Sequence, residues 1–561
     1  MKRILIIVAI IIAGHTIQAN NINVQKVSML DTNRTAKTVA IRINISWENS
    51  WRDSINWDAA WIFFKYKEPK DSVWRWRHGT LSKTGNYAGN STAPLKFAIP
   101  DDLRGAFLYR QAAGSGNIKS DSVRLFWNYG ADGVSNIDSV EIRVFATEMV
   151  YVPEGTFAIG DGNGKERSNM SFQLKNAPNN YAVITDLWSP LINTFINNNT
   201  SGNDDVTLYR DGIRISGIEG VDINNDKVAD HKDFPTGFRS FYSMKYEVTQ
   251  GQYADFLNTL SLRDTSFGMM FIDTMRLKRV PGKLKLALQN LDPFYYSTPV
   301  EVFRHSISLD TIDVRYRVSR PDRAYGQGNS NHLTSFSDWS GLRPMSELEF
   351  EKACRGPLPP YFWNPTNPGN VGDTMKKWWG ADWAWGNDTT VVRLTNMMYN
   401  NNSKLQYSGV ENGAEFFTNY DVYRRYTNPI SSFFWAMRDS SSMAVDNGNG
   451  PFRVGIFAND SSTRISSGAG YYGIMDLSKN VSEYVISIGS TSARAFSYKI
   501  HGDGMLDAYG QSRDFLSNNF GGPGAGMNAF IQKLEAVSQR NSYGNQGTNG
   551  FRAVRTAPTD N

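Results

Sequence analysis

The sequence predicts an α+β protein dominated by antiparallel strands, with an N-terminal immunoglobulin-like β-sandwich followed by a larger, loop-rich region. Three observations lead there. The runs VAIRINISW, AAWIFFKY, SVWRWRH, SVRLFW and SVEIRVF carry the period-two strand pattern and are bounded by Gly, Pro, Asn or Asp. Aromatic residues reach 13% and Gly and Asn recur throughout, a composition suited to strands and turns rather than helices. The helix signals are concentrated in two stretches, each opened by a capping box. At 561 residues with 40% hydrophobic content, the chain exceeds one compact core, and two or more domains are expected.

The first segment, MKRILIIVAIIIAGHTIQAN, sets Lys2 and Arg3 before an apolar run and closes on polar residues. It reads as a signal peptide over residues 1–19. Its apolar run is short for a bilayer, and no later stretch approaches that length, so no transmembrane segment is expected. The 59 Lys and Arg against 54 Asp and Glu give a net charge of +5, with no basic runs, which excludes nucleic acid as a partner. A single cysteine, Cys354, forms no internal disulfide. The expectation is an exported, disulfide-free bacterial protein, periplasmic, outer-membrane-associated or extracellular.

The sandwich is expected over residues 20–147. Its tryptophans, Trp47, Trp51, Trp57, Trp61, Trp74, Trp76 and Trp127, read as core and strand surface in preference to a carbohydrate platform. The character changes at EMVYVPEGTFAIGDG, where a second domain over residues 148–561 is expected to open, with an insertion at 161–237. In FYSMKYEVTQGQYADFLNTL, Thr249 and Gln252 have capping-box spacing, and Tyr253, Phe256, Leu257 and Leu260 share one helical face. In LRPMSELEFEKACRG, Ser346 caps and Glu349 closes the box. Phe350, Ala353 and Cys354 then lie on one face, which makes Cys354 a buried core thiol rather than a nucleophile.

The insertion contains DINNDKVADHKD. Asp222, Asn224, Asp226, Asp230 and Asp233 take the first, third, fifth, ninth and twelfth places of an EF-hand-like loop, and the Val228 carbonyl takes the seventh. Hard oxygen donors at that spacing suit Ca2+. Lys227 stands where the turn wants Gly, and Asp233 is shorter than the usual Glu, so an Asp- and Asn-rich solvated turn is the alternative.

Six stretches occur in a fixed order: MVYVPEGTFAIG, KYEVTQGQYADFLN, GLRPMSELEFEKACRG, WAWGND, GYYGIMDLSKNVSEY and NGFRAVRTAP. Together they resemble the formylglycine-generating enzyme (sulfatase-modifying factor) family, in wording its secreted Bacteroidota members, over Glu148 to Pro558. The resemblance implies a C-type-lectin-like fold with little regular secondary structure and structural Ca2+. The family's calcium loops would fall on Asn396 and Met397, and on Ser478, Lys479, Val481 and Glu483. The family oxidises a sulfatase cysteine through copper held by two thiolates. The two matching positions here are approximately Met527 and Gln532, so no copper is expected. Iron-dependent relatives use clustered histidines, whereas the six histidines here, His501 among them, are scattered. A resemblance without the thiol pair implies a non-catalytic relative that serves as a binding or assembly component of the cell envelope or surface, with a protein or glycan partner. The alternative is a cysteine-independent oxidase or other enzyme of the same superfamily.

Overall fold

A computed structural model of the chain describes residues 22–68, 76–160, 172–174, 181–186, 194–196, 234–259, 307–310, 315–318, 321–326, 330–357, 398–399, 405–406, 453–455, 458, 464–467, 469–477, 481–486, 530–533, 540–541 and 549–559. Antiparallel strands dominate them and helices are few, as expected. The strands of the N-terminal part are β1 (Asn23–Asn33), β2 (Thr38–Arg52), β3 (Asp58–Lys67), β4 (Arg77–His78), β5 (Asn90–Ser91), β6 (Leu95–Ala98), β7 (Ala106–Arg110), β8 (Gly114–Trp127) and β9 (Glu141–Val152). Four short two-stranded ladders come next: β10 (Phe157–Ile159) with β12 (Ala182–Ile184), β11 (Phe172–Leu174) with β13 (Thr194–Ile196), β15 (Ile307–Asp310) with β16 (Arg315–Val318), and β18 (Met398–Tyr399) with β19 (Leu405–Gln406). The others are β14 (Phe241–Met244), β17 (Arg343–Pro344), β20 (Ser482–Ile486), β21 (Phe530–Lys533), β22 (Arg540–Asn541), β23 (Asn549–Gly550) and β24 (Ala553–Thr556). The longer helices are α1 (Gln250–Thr259), α2 (Ser330–Trp339) and α3 (Glu347–Arg355).

The sequence of β3, DAAWIFFKYK, lacks the polar alternation of a half-exposed strand because both of its faces are covered. Ala60, Ile62, Phe64 and Tyr66 point into an apolar layer shared with β2 and β8, where Ile41, Ile43, Val123 and Leu125 meet them. Ala59, Trp61 and Phe63 point the other way, into a layer built with Tyr242 of β14, the α1–α3 helices and Val554 of β24. The first sheet runs β1-β2-β8-β5; the second runs β17-β24-β14-β9-β3-β7-β6, with β4 also on β3. The two sheets therefore face each other across one apolar layer, and the helices close the far side of the second. Trp47, Trp57, Trp61, Trp76 and Trp127 are all buried, which bears out their reading as core.

The boundary expected between Thr147 and Glu148 falls inside β9. That strand pairs with β3 from Lys67↔Glu141 to Asp58↔Val150 and with β14 from Met244↔Met149 to Phe241↔Val152. The change of character at Glu148 marks the place where β9, still paired with β3, gains β14 along its other edge. The two expected domains thus share a sheet. Part of the expected insertion is also tied back, since β12 pairs with β10 and Phe234 is buried in the core.

Both capping boxes form. The Thr249 N–H donates to Gln252 Oε1 at 3.0 Å and the Gln252 N–H to Thr249 Oγ1 at 3.2 Å. Ser346 and Glu349 bond reciprocally at the head of α3. Tyr253, Phe256 and Leu257 are buried as the α1 spacing predicts, and Cys354 is fully buried on α3. In addition α3 is buried all round, charged residues included. Arg343 makes a bidentate pair with Glu349 at 2.8 and 2.6 Å. Lys352 donates to the carbonyls of Pro153 and Gly237 at 2.6 and 2.7 Å, and Glu351 accepts from the Gly160 N–H at 2.8 Å. Burial lowers the Lys352 amine to about 8, partly opposed by Glu349 and Glu154.

The two-faced strand makes a direct prediction. Phe63→Ala and Phe64→Ala, adjacent in sequence but on opposite faces, should each destabilise the protein by about 3–5 kcal/mol, read from urea unfolding. If one of them unfolds like the parent, its face lacks the packing described.

Candidate functional site

At one end of β3 the apolar pattern gives way to buried charge. Asp58 is fully buried and accepts from Trp47 Nε1 at 3.0 Å, Ser50 Oγ at 2.8 Å and the Trp51 N–H at 2.9 Å. On the adjacent strand, Glu148 accepts from Lys245 Nζ at 2.8 Å, both side chains being buried. Lys245 comes just after β14, its ammonium lies 5.2 Å from the Trp51 ring centroid, and its carbonyl accepts from the Met475 N–H at 2.8 Å. Two residues on, Glu247 Oε1 accepts from the Val481 N–H at 3.0 Å. Glu483 of β20 accepts from Arg552 Nε at 2.6 Å, while Arg552 Nη1 reaches the Met244 and Lys245 carbonyls at 3.3 and 3.4 Å. Asp476 accepts from the Gly455 N–H at 2.5 Å.

The stretch GYYGIMDLSKNVSEY supplies Asp476, Val481 and Glu483 to this cluster, and its loop also clamps the first sheet. Asn56 Nδ2 donates to the Tyr472 carbonyl at 2.6 Å. Gly473, at φ +87°, brings its backbone against the Trp51 ring, where a Cβ would stand 3.1 Å from the indole. Asp476 itself has φ 59°, a left-handed conformation that is uncommon for a residue with a side chain.

Five carboxylates, Asp58, Glu148, Glu247, Asp476 and Glu483, meet three cations, Lys245, Arg453 and Arg552, all of them buried. Burial raises the Asp58 carboxyl to about 6, against the lowering pull of Lys245 and Ser50. Burial also raises Asp476, opposed by the Gly455 N–H, Arg552 and Arg453. Glu247 is pushed well above the carboxylate range, first by burial and then by repulsion from Asp476 and Glu483. Glu483 is raised by burial in spite of Arg552. Burial thus makes Asp58, Glu247, Asp476 and Glu483 easier to protonate than in water, and the paired charges fix the segments that carry them.

Of the ten expected calcium ligands, Val481 and Glu483 lie within the described residues, two positions apart at the start of β20. Asp222, Asn224, Asp226, Val228, Asp230, Asp233, Asn396 and Ser478 lie outside the described residues, as do Met397, Lys479, His501 and Met527. Val481 uses its N–H toward Glu247, which leaves its carbonyl as the donor the family loop would use. Glu483 gives Oε1 to Arg552, while its Oε2 is buried with no partner among the described residues. An orphaned buried carboxylate oxygen is a fitting hard donor for Ca2+, and Arg552 leaves Glu483 able to bind through that one oxygen. Among the described residues no three His, Cys, Asp or Glu side chains converge as a metal set. Gln532, at one expected thiolate position, lies in the β21 ladder opposite Tyr484.

Sequence reasoning missed Asp58, Glu148, Lys245, Glu247, Asp476 and Arg552. All but Glu148, which follows Thr147, are charges flanked on both sides by apolar residues, in stretches such as MKYEV and GIMDL. That pattern is the local signal that could have marked them, since an isolated charge inside an apolar run is either an edge or a buried partner. No protein-family model matches this chain, and no curated protein matches it either.

A carboxyl whose folded pKa lies above its unfolded value contributes its full stability below the unfolded value. That contribution is lost as pH rises through the folded one. For Asp58 the window runs from 3.8 to about 6, and the loss is on the order of 2–3 kcal/mol. Glu247 extends the decline to higher pH. Calorimetry should give Glu247→Gln, which keeps the acceptor for Val481 but removes one proton site, a shallower fall in Tm between pH 5 and 8 than the parent. An equal slope in the two proteins would remove Glu247 from this account.

Proposed function

We propose that this chain is an exported, non-catalytic relative of the formylglycine-generating enzymes that acts as a binding or assembly component of the bacterial cell envelope or surface. In this reading residues 20–147 form an immunoglobulin-like sandwich, residues 148–561 a C-type-lectin-like region, and the partner is a protein or glycan. The observation that carries it is the fate of the thiols. Copper chemistry of this kind needs two thiolates, and the chain's one thiol, Cys354, is fully buried on α3, where its backbone carbonyl accepts from the Tyr471 N–H at 2.8 Å. Met527 and Gln532 stand where the pair would be. Further support comes from the order of the six motifs, and from a scaffold in which KYEVTQGQYADFLN, GYYGIMDLSKNVSEY and NGFRAVRTAP meet around buried charge. Function on such a scaffold belongs to the loops and edges it displays.

Ca2+ enters the same reading as a structural ion, held by the Asp222–Asp233 loop and by the loop that includes Asn396, Ser478, Val481 and Glu483. There its role is to tie loops together.

Two experiments test the reading. Purified protein given Cu(I), oxygen and a sulfatase-type cysteine peptide should yield no aldehyde by mass spectrometry. Aldehyde that vanishes in Cys354→Ala would overturn the non-catalytic assignment, and aldehyde that persists in that variant would favour the cysteine-independent oxidase. Separately, Ca2+ at about a hundredfold above its Kd should add about 2.7 kcal/mol of stability, seen as a higher Tm that chelation reverses. Asp222→Ala combined with Asp226→Ala should shrink that shift. An undiminished shift would move the site to the loop at Glu483.

A further inference from the structure

Among the described residues β6 is a terminal strand of the second sheet, bonded on one side only, to β7. The Gln111 N–H donates to the Pro94 carbonyl at 2.9 Å, and the register continues as Leu95↔Arg110, Lys96↔Tyr109, Phe97↔Leu108 and Ala98↔Phe107. Antiparallel pairs alternate between bonded and non-bonded. The backbone groups of Lys96 and Ala98 therefore face β7, while those of Leu95 and Phe97 face outward and find no partner among the described residues. That outer edge borders an open groove of about 1150 Å3 lined by the stretch from Lys83 to Ile99 together with Lys119 and Asp121. Tyr87 stands 46% exposed in its wall.

The two faces of β6 differ in chemistry. Leu95 and Phe97 are half-buried against the apolar layer between the sheets, beside Ala88 and Ala93. Lys96 lies on the opposite face, its ammonium 5.0 Å from the Tyr109 ring centroid, and Arg52 sits beside it, 3.9 Å over Trp57 and 5.3 Å from the same Tyr109 ring. Neither cation has a carboxylate partner among the described residues. The contrast with β1, the long edge of the other sheet, is plain. Register shifts at Gln25/Ser28 and Leu30/Asn33, with Lys26 and Asp31 at φ 52°, break up the β1 edge. The β6 edge has no such shift.

We propose that the β6 edge is a docking site for an extended acidic peptide segment, which adds an antiparallel strand beside Leu95 and Phe97. Its apolar side chains extend the layer between the sheets and its acidic side chains meet Lys96 and Arg52. Main-chain bonds supply affinity and the alternating faces supply selectivity. The inference rests on the reading of the chain as a binding component and names the place and the chemistry of the partner. A chain that co-purifies with a defined partner yet ignores such peptides would keep that reading and lose this one.

The test uses the full chain and a fluorescein-labelled Glu-Val-Glu-Val-Glu-Val peptide, followed by anisotropy. Binding should saturate, and the Lys-Val counterpart should bind at least about tenfold more weakly. In the antiparallel arrangement the valines lie opposite Leu95 and Phe97, so their N–H groups point at β6. Methylating the valine nitrogens should abolish binding, while methylating the glutamate nitrogens should leave it. Lys96→Glu should weaken the acidic peptide by about tenfold or more. Phe97→Pro removes an outward donor that β7 does not use, and it should abolish binding while Tm reports the fold. Tight binding of the valine-methylated peptide overturns the proposal, and that comparison needs no variant to fold. Equal affinity for the acidic and basic peptides also overturns it, as does saturable binding of neutral oligosaccharide in place of peptide. So does a concentration-dependent dimer that Phe97→Pro abolishes, because the edge would then be taken by a second copy.

Discussion

Burial of β3 on both faces governs how the rest of the chain is arranged. A strand reading DAAWIFFKYK gains little if one face stays wet, so the chain must supply an apolar layer on each side. The first sheet covers Ala60, Ile62 and Phe64, and the helices with β14 and β24 cover Ala59, Trp61 and Phe63. Trp61 shows how tightly the second layer is held: its Nε1 donates to the Ser340 carbonyl at 2.8 Å. On the same side Trp339 Nε1 donates to Thr259 at 2.6 Å and locks α2 to α1. Polar tips of large aromatic residues thus fix the positions of elements whose bulk is apolar.

The charge cluster arises from the same arrangement. At the Asp58 end of β3 the loop from Gly470 to Leu477 packs beside β2, and loops bring backbone groups that must be satisfied. Asp58, Glu247 and Asp476 accept from the N–H groups of Trp51, Val481 and Gly455, while Glu148 and Glu483 pair with Lys245 and Arg552. Replacing any one partner leaves a buried charge without its complement, a far larger penalty than the net worth of the pair. The cluster therefore ties segments from opposite ends of the sequence into a specific mutual position, which the apolar layers alone would specify less tightly.

Local features of the chain were legible from sequence. The capping boxes at Thr249 and Ser346, the helical face of Tyr253 and Phe256, the buried tryptophans and the inward Cys354 all come from spacing within one turn or one strand. The continuity of β9 across Thr147 was not legible, because a strand that gains a second neighbour midway looks from within like the end of one domain. Nor was the burial of Glu349 and Lys352: on a helical wheel they form a polar face, and only their partners outside the helix, Arg343 for Glu349 and the distant Pro153 and Gly237 carbonyls for Lys352, offset the cost of burial. The cluster was invisible for the same reason. Glu148 and Lys245 stand far apart in the chain, Glu483 and Arg552 likewise, and no local pattern announces that they meet.

The position of β24 has a consequence for how the molecule is made. Residues 553–556 lie inside the second sheet, between β17 and β14, rather than at its rim. β14 can pair with β9 as soon as both exist, but its other side stays open until this late segment arrives. Over that interval Tyr242 and Trp61 face a layer that lacks Phe551, Ala553 and Val554. Folding is accordingly dominated by long-range closure, slow relative to helix formation. The second sheet is complete only once residues 553–556 are in place, and until then the apolar half-core beside β14 stays open, the kind of transiently exposed surface that makes a partly folded chain prone to association.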